Sequence, residues 1–156
     1  MDERNVQTIA SDDKIVVTIS KRFFDDETVK VLDISANCYN GYVYLVGEYE
    51  TGKEKERVIE IAKKVEGVKS VTTYLLSKKK GDLCKTSDNL AITAKVKTKL
   101  IKDKEIWSTN VGVKTVQCNV VLLGIVGSKE EIRKAIAHAK SVEGVRSVKS
   151  FLKSAK

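Results

Sequence analysis

Ile15, Ile19 and Phe23 recur every four residues, the period of a helix that buries one face. The period then falls to two. Ile34, Ala36 and Cys38 alternate with polar neighbours, as do Val43, Leu45 and Gly47, which predicts two half-buried strands. Asn40-Gly41 lies between them and suits a two-residue hairpin turn, because both types tolerate positive φ. A second helical stripe follows at Val58, Ile59, Ala62 and Val65, closed by Gly67, and a last strand runs through Val68, Val71 and Leu75. Asp12 is the expected N-cap of the first helix.

The same pattern returns 77 positions later. Val65-Glu66-Gly67-Val68-Lys69-Ser70-Val71 reappears as Val142-Glu143-Gly144-Val145-Arg146-Ser147-Val148, and without a gap 17 of 66 positions are identical between 12–77 and 89–154. Ile92, Val96 and Leu100 repeat the first stripe, with Asp88 or Asn89 as its cap. Ile132, Ala135, Ile136, Ala139 and Val142 repeat the second, and Val145, Val148 and Leu152 the last strand. Gln117-Cys118-Asn119 takes the place of the hairpin turn without a glycine, so a looser or differently shaped turn is expected there. The pattern predicts an α+β protein of two tandem αββαβ modules, each a three-stranded mixed sheet with two helices on one face. The expected boundaries are a lead-in over 1–11, a module over 12–77, a linker over 78–87 and a module over 88–154. Each core is small, and no proline stiffens the linker.

These residues resemble the BON domain, named for bacterial OsmY and nodulation proteins. The resemblance rests on Ile34 to Gly47, a strand followed by Asn-Gly and V-x-L-x-G, and on Ala62 to Val71, A-x-x-V-x-G-V-x-x-V, both repeated in the second copy apart from the altered turn. Asp2 to Thr8 is similar to the segment that precedes the first domain in dual-BON envelope lipoproteins of the DolP type. The resemblance implies export, a periplasmic location at the outer membrane, and binding of anionic phospholipid in support of envelope integrity, with no enzymatic activity. The signal and the acylated cysteine it also implies are not read in this sequence, whose opening Met1-Asp2-Glu3-Arg4 lacks a basic start and an apolar stretch.

Charge adds an asymmetry to this picture. The formal net charge of +8 divides unevenly: residues 1–77 hold 11 Lys and Arg against 14 Asp and Glu, a net of −3, whereas residues 78–156 hold 18 against 7, a net of +11. One half is therefore suited to an anionic partner. No apolar run approaches the roughly 18 residues of a membrane span. Cys38, Cys84 and Cys118 have no CxxC spacing and no histidine cluster, so no metal site is expected; they read as incidental, with any pairing left open. No cofactor is expected either. His138, the one histidine, replaces Ile61 on a helix edge and reads as a solvated side chain rather than a general base.

The basic residues carry the functional expectation. Lys95, Lys99 and Lys102 fall at i, i+4 and i+7 beside the buried stripe, where the first copy has Thr18, Arg22 and Asp25; Lys97 and Lys104 lie on the opposite flank. Trp107, matched to Lys30, reads either as an interfacial anchor or as a residue packed against the other module. Leu90, matched to Asp13, is expected to add an apolar group near the lysine stripe. Leu90, Lys95, Lys99, Lys102 and Trp107 are thus the expected contacts with an anionic phospholipid surface. An adaptor for envelope proteins or peptidoglycan, using the acidic first module, is the alternative. Nucleic acid is disfavoured, since no GxxG loop joins two helices and no strand presents a run of aromatics for base stacking.

Overall fold

The computed structural model describes residues 2–29 and 33–155. The chain forms two compact units, one over Arg4–Lys80 and the other from Gly81 onward together with Asp2 and Glu3. The first module runs α1 (Val6–Asp25), β1 (Ile34–Tyr39), β2 (Tyr42–Tyr49), α2 (Gly52–Lys63) and β3 (Ser70–Ser77). β1 pairs antiparallel with β2 and β2 pairs parallel with β3, so the sheet is mixed and β2 is central. The period-two residues Ile34, Cys38, Val43, Leu45 and Leu75 meet Ile15, Ile19 and Phe23 of α1 and Val58, Ile61 and Ala62 of α2 in one core. Burying these side chains on a single sheet face is what fixes the strand register.

Helix α1 begins at Val6, inside the stretch expected as a lead-in, and its cap is Asn5, whose Oδ1 accepts from Thr8 N at 2.8 Å. Asp12 is therefore not the cap. It is 2% exposed, and its carboxylate reaches across to the hairpin, accepting from Asn40 N (2.8 Å) and Gly41 N (2.9 Å). Arg4 Nη1 at 2.8 Å and the Cys38 thiol at 3.3 Å complete its contacts. A buried carboxylate is tolerated only with this degree of pairing. Burial pushes the Asp12 pKa up, but the Arg4 guanidinium and the two turn amides outweigh it and hold the carboxyl below its ordinary value.

The second module runs α3 (Thr86–Lys102), a short 3-10 turn (Ser108–Asn110), β4 (Gly112–Val116), β5 (Asn119–Leu123), β6 (Ile125–Val126), α4 (Lys129–Lys140), β7 (Ser147–Ser150) and β8 (Lys153–Ser154). β4, β5 and β7 repeat the mixed sheet, and β6 and β8 form a short parallel pair. Gly124 separates β5 from β6 at φ 130°, where a Cβ would run into Asn110 O; Gly47, its counterpart at φ 152°, is likewise pressed against Asp33 O. Only glycine lets the two backbones cross this closely. The core again joins both helices, through Ile92, Val96, Leu100, Ala135 and Ala139, to Val113, Val120 and Leu122.

Neither Asp88 nor Asn89 caps α3 in the expected way. Asp88 sits inside the first turn and reaches back to accept from Lys85 N at 2.8 Å, while Asn89 Oδ1 accepts from Cys118 N at 2.9 Å. Asn89 thus repeats the part of Asp12. The hairpin it holds is not looser, contrary to the sequence-based expectation. Gln117 and Cys118 adopt φ 50° and 62°, close to the 55° and 84° of Asn40 and Gly41, and Val116 faces Asn119 as Tyr39 faces Tyr42. The missing glycine is compensated by fastening. Arg146 Nη1 donates to Gln117 O at 3.2 Å, and Cys118 is joined by a disulfide to Cys84, 34 residues earlier. Cys84 and Cys118 are accordingly not incidental, whereas Cys38 is a free, buried thiol pushed up to about 12 by burial and the adjacent Asp12.

Candidate functional site

Helix α3 holds Leu90, Lys95, Lys99 and Lys102 of the expected contact residues, and its two flanks face different neighbours. Asp103, one turn beyond Lys99, is bonded by Lys134 and His138 of α4 at 3.4 and 2.8 Å, so the Lys95–Lys99–Lys102 stripe runs along the α4 side. On the other side the Thr93 hydroxyl meets Thr115 of β4 at 2.7 Å, and Lys97 lies one turn further along that flank. Among the described residues, Lys95, Lys97, Lys99, Lys102 and Lys104 have no acidic group within 4.0 Å. Their charge is not spent internally. Lys99 and Lys102 also sit in the last turn, where cations complement the helix dipole.

Leu90 does not join the stripe. At 3.6 residues per turn, five residues separate Leu90 from Lys95 by about 140° around the axis. Leu90 falls instead on the outward ridge with Ala91, Ala94, Thr98 and Ile101, all exposed, Leu90 and Ile101 each to 68%. Lysines border this ridge on both sides, Lys97 on one and Lys95 and Lys102 on the other. The outward ridge of α1 at the matched positions reads Asp13, Lys14, Val17, Lys21 and Phe24, so charge interrupts it. The ridge of α3 was not anticipated, although the spacing of Leu90, Ala94 and Ile101 is a visible signal once the opposite face is known to be buried.

Trp107 is 58% exposed and immediately precedes the 3-10 turn. Lys97, Leu100, Ile101, Ser108, Thr109 and Val111 line a cleft of about 280 Å³ there, which places a cation, two hydroxyls and an apolar floor together. Trp107 directly precedes Ser108 of this cleft, whose cation is Lys97 rather than a member of the triple-lysine stripe. Lys30, its counterpart, lies outside the described residues.

His138 is not simply solvated. Its Nε2 lies 2.8 Å from Asp103 Oδ2, and this bond, with the Glu105 amide and Lys134, holds Asp103 at about 2. The first module has Asp26 in the same place, bound by Arg57 Nε at 2.7 Å. Both pairs tie the first helix of a module to the second, a structural part that needs no catalysis to account for it. No helix is long and apolar enough to cross a membrane among the described residues.

The sequence is similar to those of known proteins. Over 95% of its length the chain is 33% identical to osmotically-inducible protein Y of Escherichia coli K12, of which it covers 75%. It is 28% identical over 94% of its length to the outer membrane lipoprotein DolP of Haemophilus influenzae, covering 76% of that protein. A 21 kDa hemolysin of Actinobacillus pleuropneumoniae is also 28% identical, over 95% of this chain and 76% of its own length. The BON domain pattern matches residues 11–77 and again 88–156, on the two units described above. The chain therefore belongs to the BON domain family and carries two BON domains in tandem.

Proposed function

We propose that this protein is a non-enzymatic, peripheral binder of anionic phospholipid in the bacterial envelope, acting in the periplasm at the outer membrane and making contact through helix α3 of its second module. The observation that carries the reading is the α3 surface itself: an exposed apolar ridge, Leu90–Ala94–Ile101, bordered on both sides by lysines without acidic partners. A helix of this kind lies in the interfacial plane, with its ridge toward the acyl boundary and its lysines reaching headgroup phosphates. Each lysine contributes about 1 kcal/mol near an anionic surface. Trp107 suits the same level, because an indole prefers the headgroup region. The location draws on the likeness to DolP, described as an outer membrane lipoprotein.

Cosedimentation of the full chain with vesicles tests the reading. Phosphatidylglycerol-containing vesicles should pellet the protein, and pure phosphatidylcholine vesicles should not. Reversing Lys95, Lys99 and Lys102 to glutamate should weaken binding by more than about a hundredfold, since three attractive contributions of about 1 kcal/mol become repulsive. Reversing Lys129, Lys140 and Lys149 changes net charge equally and should leave most of the binding; Lys134 is unsuitable as a control because it pairs with Asp103 and Glu105. Trp107→Ala should cost less, and its effect should persist at high salt. If the two triple variants lose binding equally, only net charge matters. If the wild-type chain ignores anionic vesicles, the reading is wrong and a protein or peptidoglycan partner takes its place.

A further inference from the structure

The first module has a recess at the opposite end of α1 from the Asp26–Arg57 pair. A cleft of about 640 Å³ opens between the start of α1 (Asn5, Gln7, Thr8, Ser11), the hairpin turn (Asn40, Gly41, Tyr42) and Lys69 beyond α2. Asp12 forms part of its wall but is fully engaged with Arg4 and the turn amides. Gln7, Ser11 and the Asn40 side chain are exposed around the opening. Lys69 Nζ lies 5.6 Å from the Tyr42 ring centre and, among the described residues, has no carboxylate within 4.0 Å.

The repeat shows what chemistry this place in the fold accepts. The 77-residue offset matches Lys69 to Arg146, Gly41 to Cys118, Asn5 to Asp82 and Gln7 to Cys84. Lys69 and Arg146 are anchored alike, their backbone N–H groups bonded to Gly41 O and Cys118 O at 2.9 and 2.8 Å. In the second module the non-helical stretch Asp82–Cys84 lies at this position. Arg146 grips the Asp82 carboxylate with both Nη atoms, at 2.7 and 3.1 Å, and Cys84 is locked to Cys118. In the first module the chain has no carboxylate or thiol at these positions, and Gln7 belongs to the first turn of α1. The cationic end of the arrangement is retained while its built-in acidic segment is not.

We infer that the first-module cleft binds a short extended peptide presenting one carboxylate to Lys69, as Asp82 is presented to Arg146, with its backbone against Ser11 and Asn40. The half that holds the cleft has a net charge of −3, so long acidic runs are repelled and the segment carries a single acidic side chain among small or aliphatic neighbours, as in Gly81-Asp82-Leu83. This partner is a protein and is independent of the lipid contact on α3.

Titration of the ¹⁵N-labelled full chain with the peptide acetyl-Lys-Gly-Asp-Leu-Ser-Lys-amide reads the inference directly. Saturable amide shifts are expected at Gly41, Tyr42, Gly67 and Lys69, with millimolar affinity. A peptide with asparagine in place of its aspartate, or the Lys69→Glu protein, should bind at least about tenfold more weakly, because the charge-assisted contact is gone. Lys69 is exposed, so the variant should fold, and the asparagine peptide tests the same contact without any variant. Absence of saturable shifts, equal binding of the two peptides, or shifts confined to residues beyond Gly81 would each overturn it. Loss of vesicle binding in the α3 triple variant leaves this titration unchanged, so the two proposals fail separately.

Discussion

The two modules hold one hairpin geometry with two different fastenings. In the first, a buried carboxylate accepts both turn amides and is neutralised by Arg4, and the turn residues are Asn40 and Gly41, which enter the left-handed region readily. In the second, Asn89 supplies one neutral hydrogen bond, the turn residues are Gln117 and Cys118, and a disulfide carries the rest. The outer surfaces differ as well, since the α1 ridge is broken by Asp13, Lys14 and Lys21 while the α3 ridge is apolar with lysine borders. The shared scaffold has thus been kept by exchanging one clamp for another, while exposed helix positions were free to diverge.

The largest test of this contrast is removal of the disulfide. Closing a loop of 34 residues should stabilise the second module by about 4 kcal/mol on chain-entropy grounds. Reduction or Cys84→Ser should lower its urea midpoint accordingly, followed by the fluorescence of Trp107, which is the sole tryptophan and reports on this module alone. The first module should be indifferent to reductant, because Cys38 is unpaired. Equal destabilisation of both modules would end the comparison.

Asp12→Ala is the converse experiment and should cost the first module about 3 kcal/mol, because it removes the carboxylate paired with the half-buried Arg4 guanidinium and leaves two turn amides without their acceptor. Far-UV circular dichroism should show the loss while the Trp107 transition stays put. The same group sets a pH limit. Its folded pKa lies below the ordinary carboxylate value of 3.8, so its contribution is complete above that value and disappears as pH falls through the lower, folded one. Asp12→Asn should retain part of the stability and lose this acid dependence, since Asn89 performs the neutral version next door.

A smaller effect sharpens the turn argument. In the Cys84→Ser background, Cys118→Gly should recover about 1 kcal/mol by relieving a non-glycine residue at φ 62°. If no stability returns, the left-handed conformation is not what the staple compensates.

Local pattern made most of the fold legible. The stripes at Ile15-Ile19-Phe23 and Ile92-Val96-Leu100, the alternation around Asn40-Gly41, and the helix-ending Gly67 and Gly144 all express interactions within a few residues of each other. What escaped is non-local. Asp12 meets its turn 28 and 29 residues away, Cys84 meets Cys118 at 34, and His138 meets Asp103 at 35, and no periodicity relates such pairs. Asp12 reads as a cap because a polar residue before an apolar stripe looks the same in either part. Of the α3 surface, the charged stripe was visible in composition, whereas the outward position of Leu90 depends on which face the core takes.

The Cys84–Cys118 pair also constrains the path by which the copies diverged. A turn that replaces glycine by cysteine pays for a β-carbon in left-handed backbone, on the order of 1 kcal/mol, and gains nothing until a partner thiol is present. Cys84, by contrast, stands half-buried before α3 in a stretch without helix or strand, and its backbone is not in the left-handed region. The nearly neutral order of substitution therefore acquires Cys84 first and gives up the turn glycine second. Once both are in place the order becomes a ratchet: returning Cys84 to another residue exposes the cost that Cys118 conceals, so the staple is entrenched by the very change it permitted.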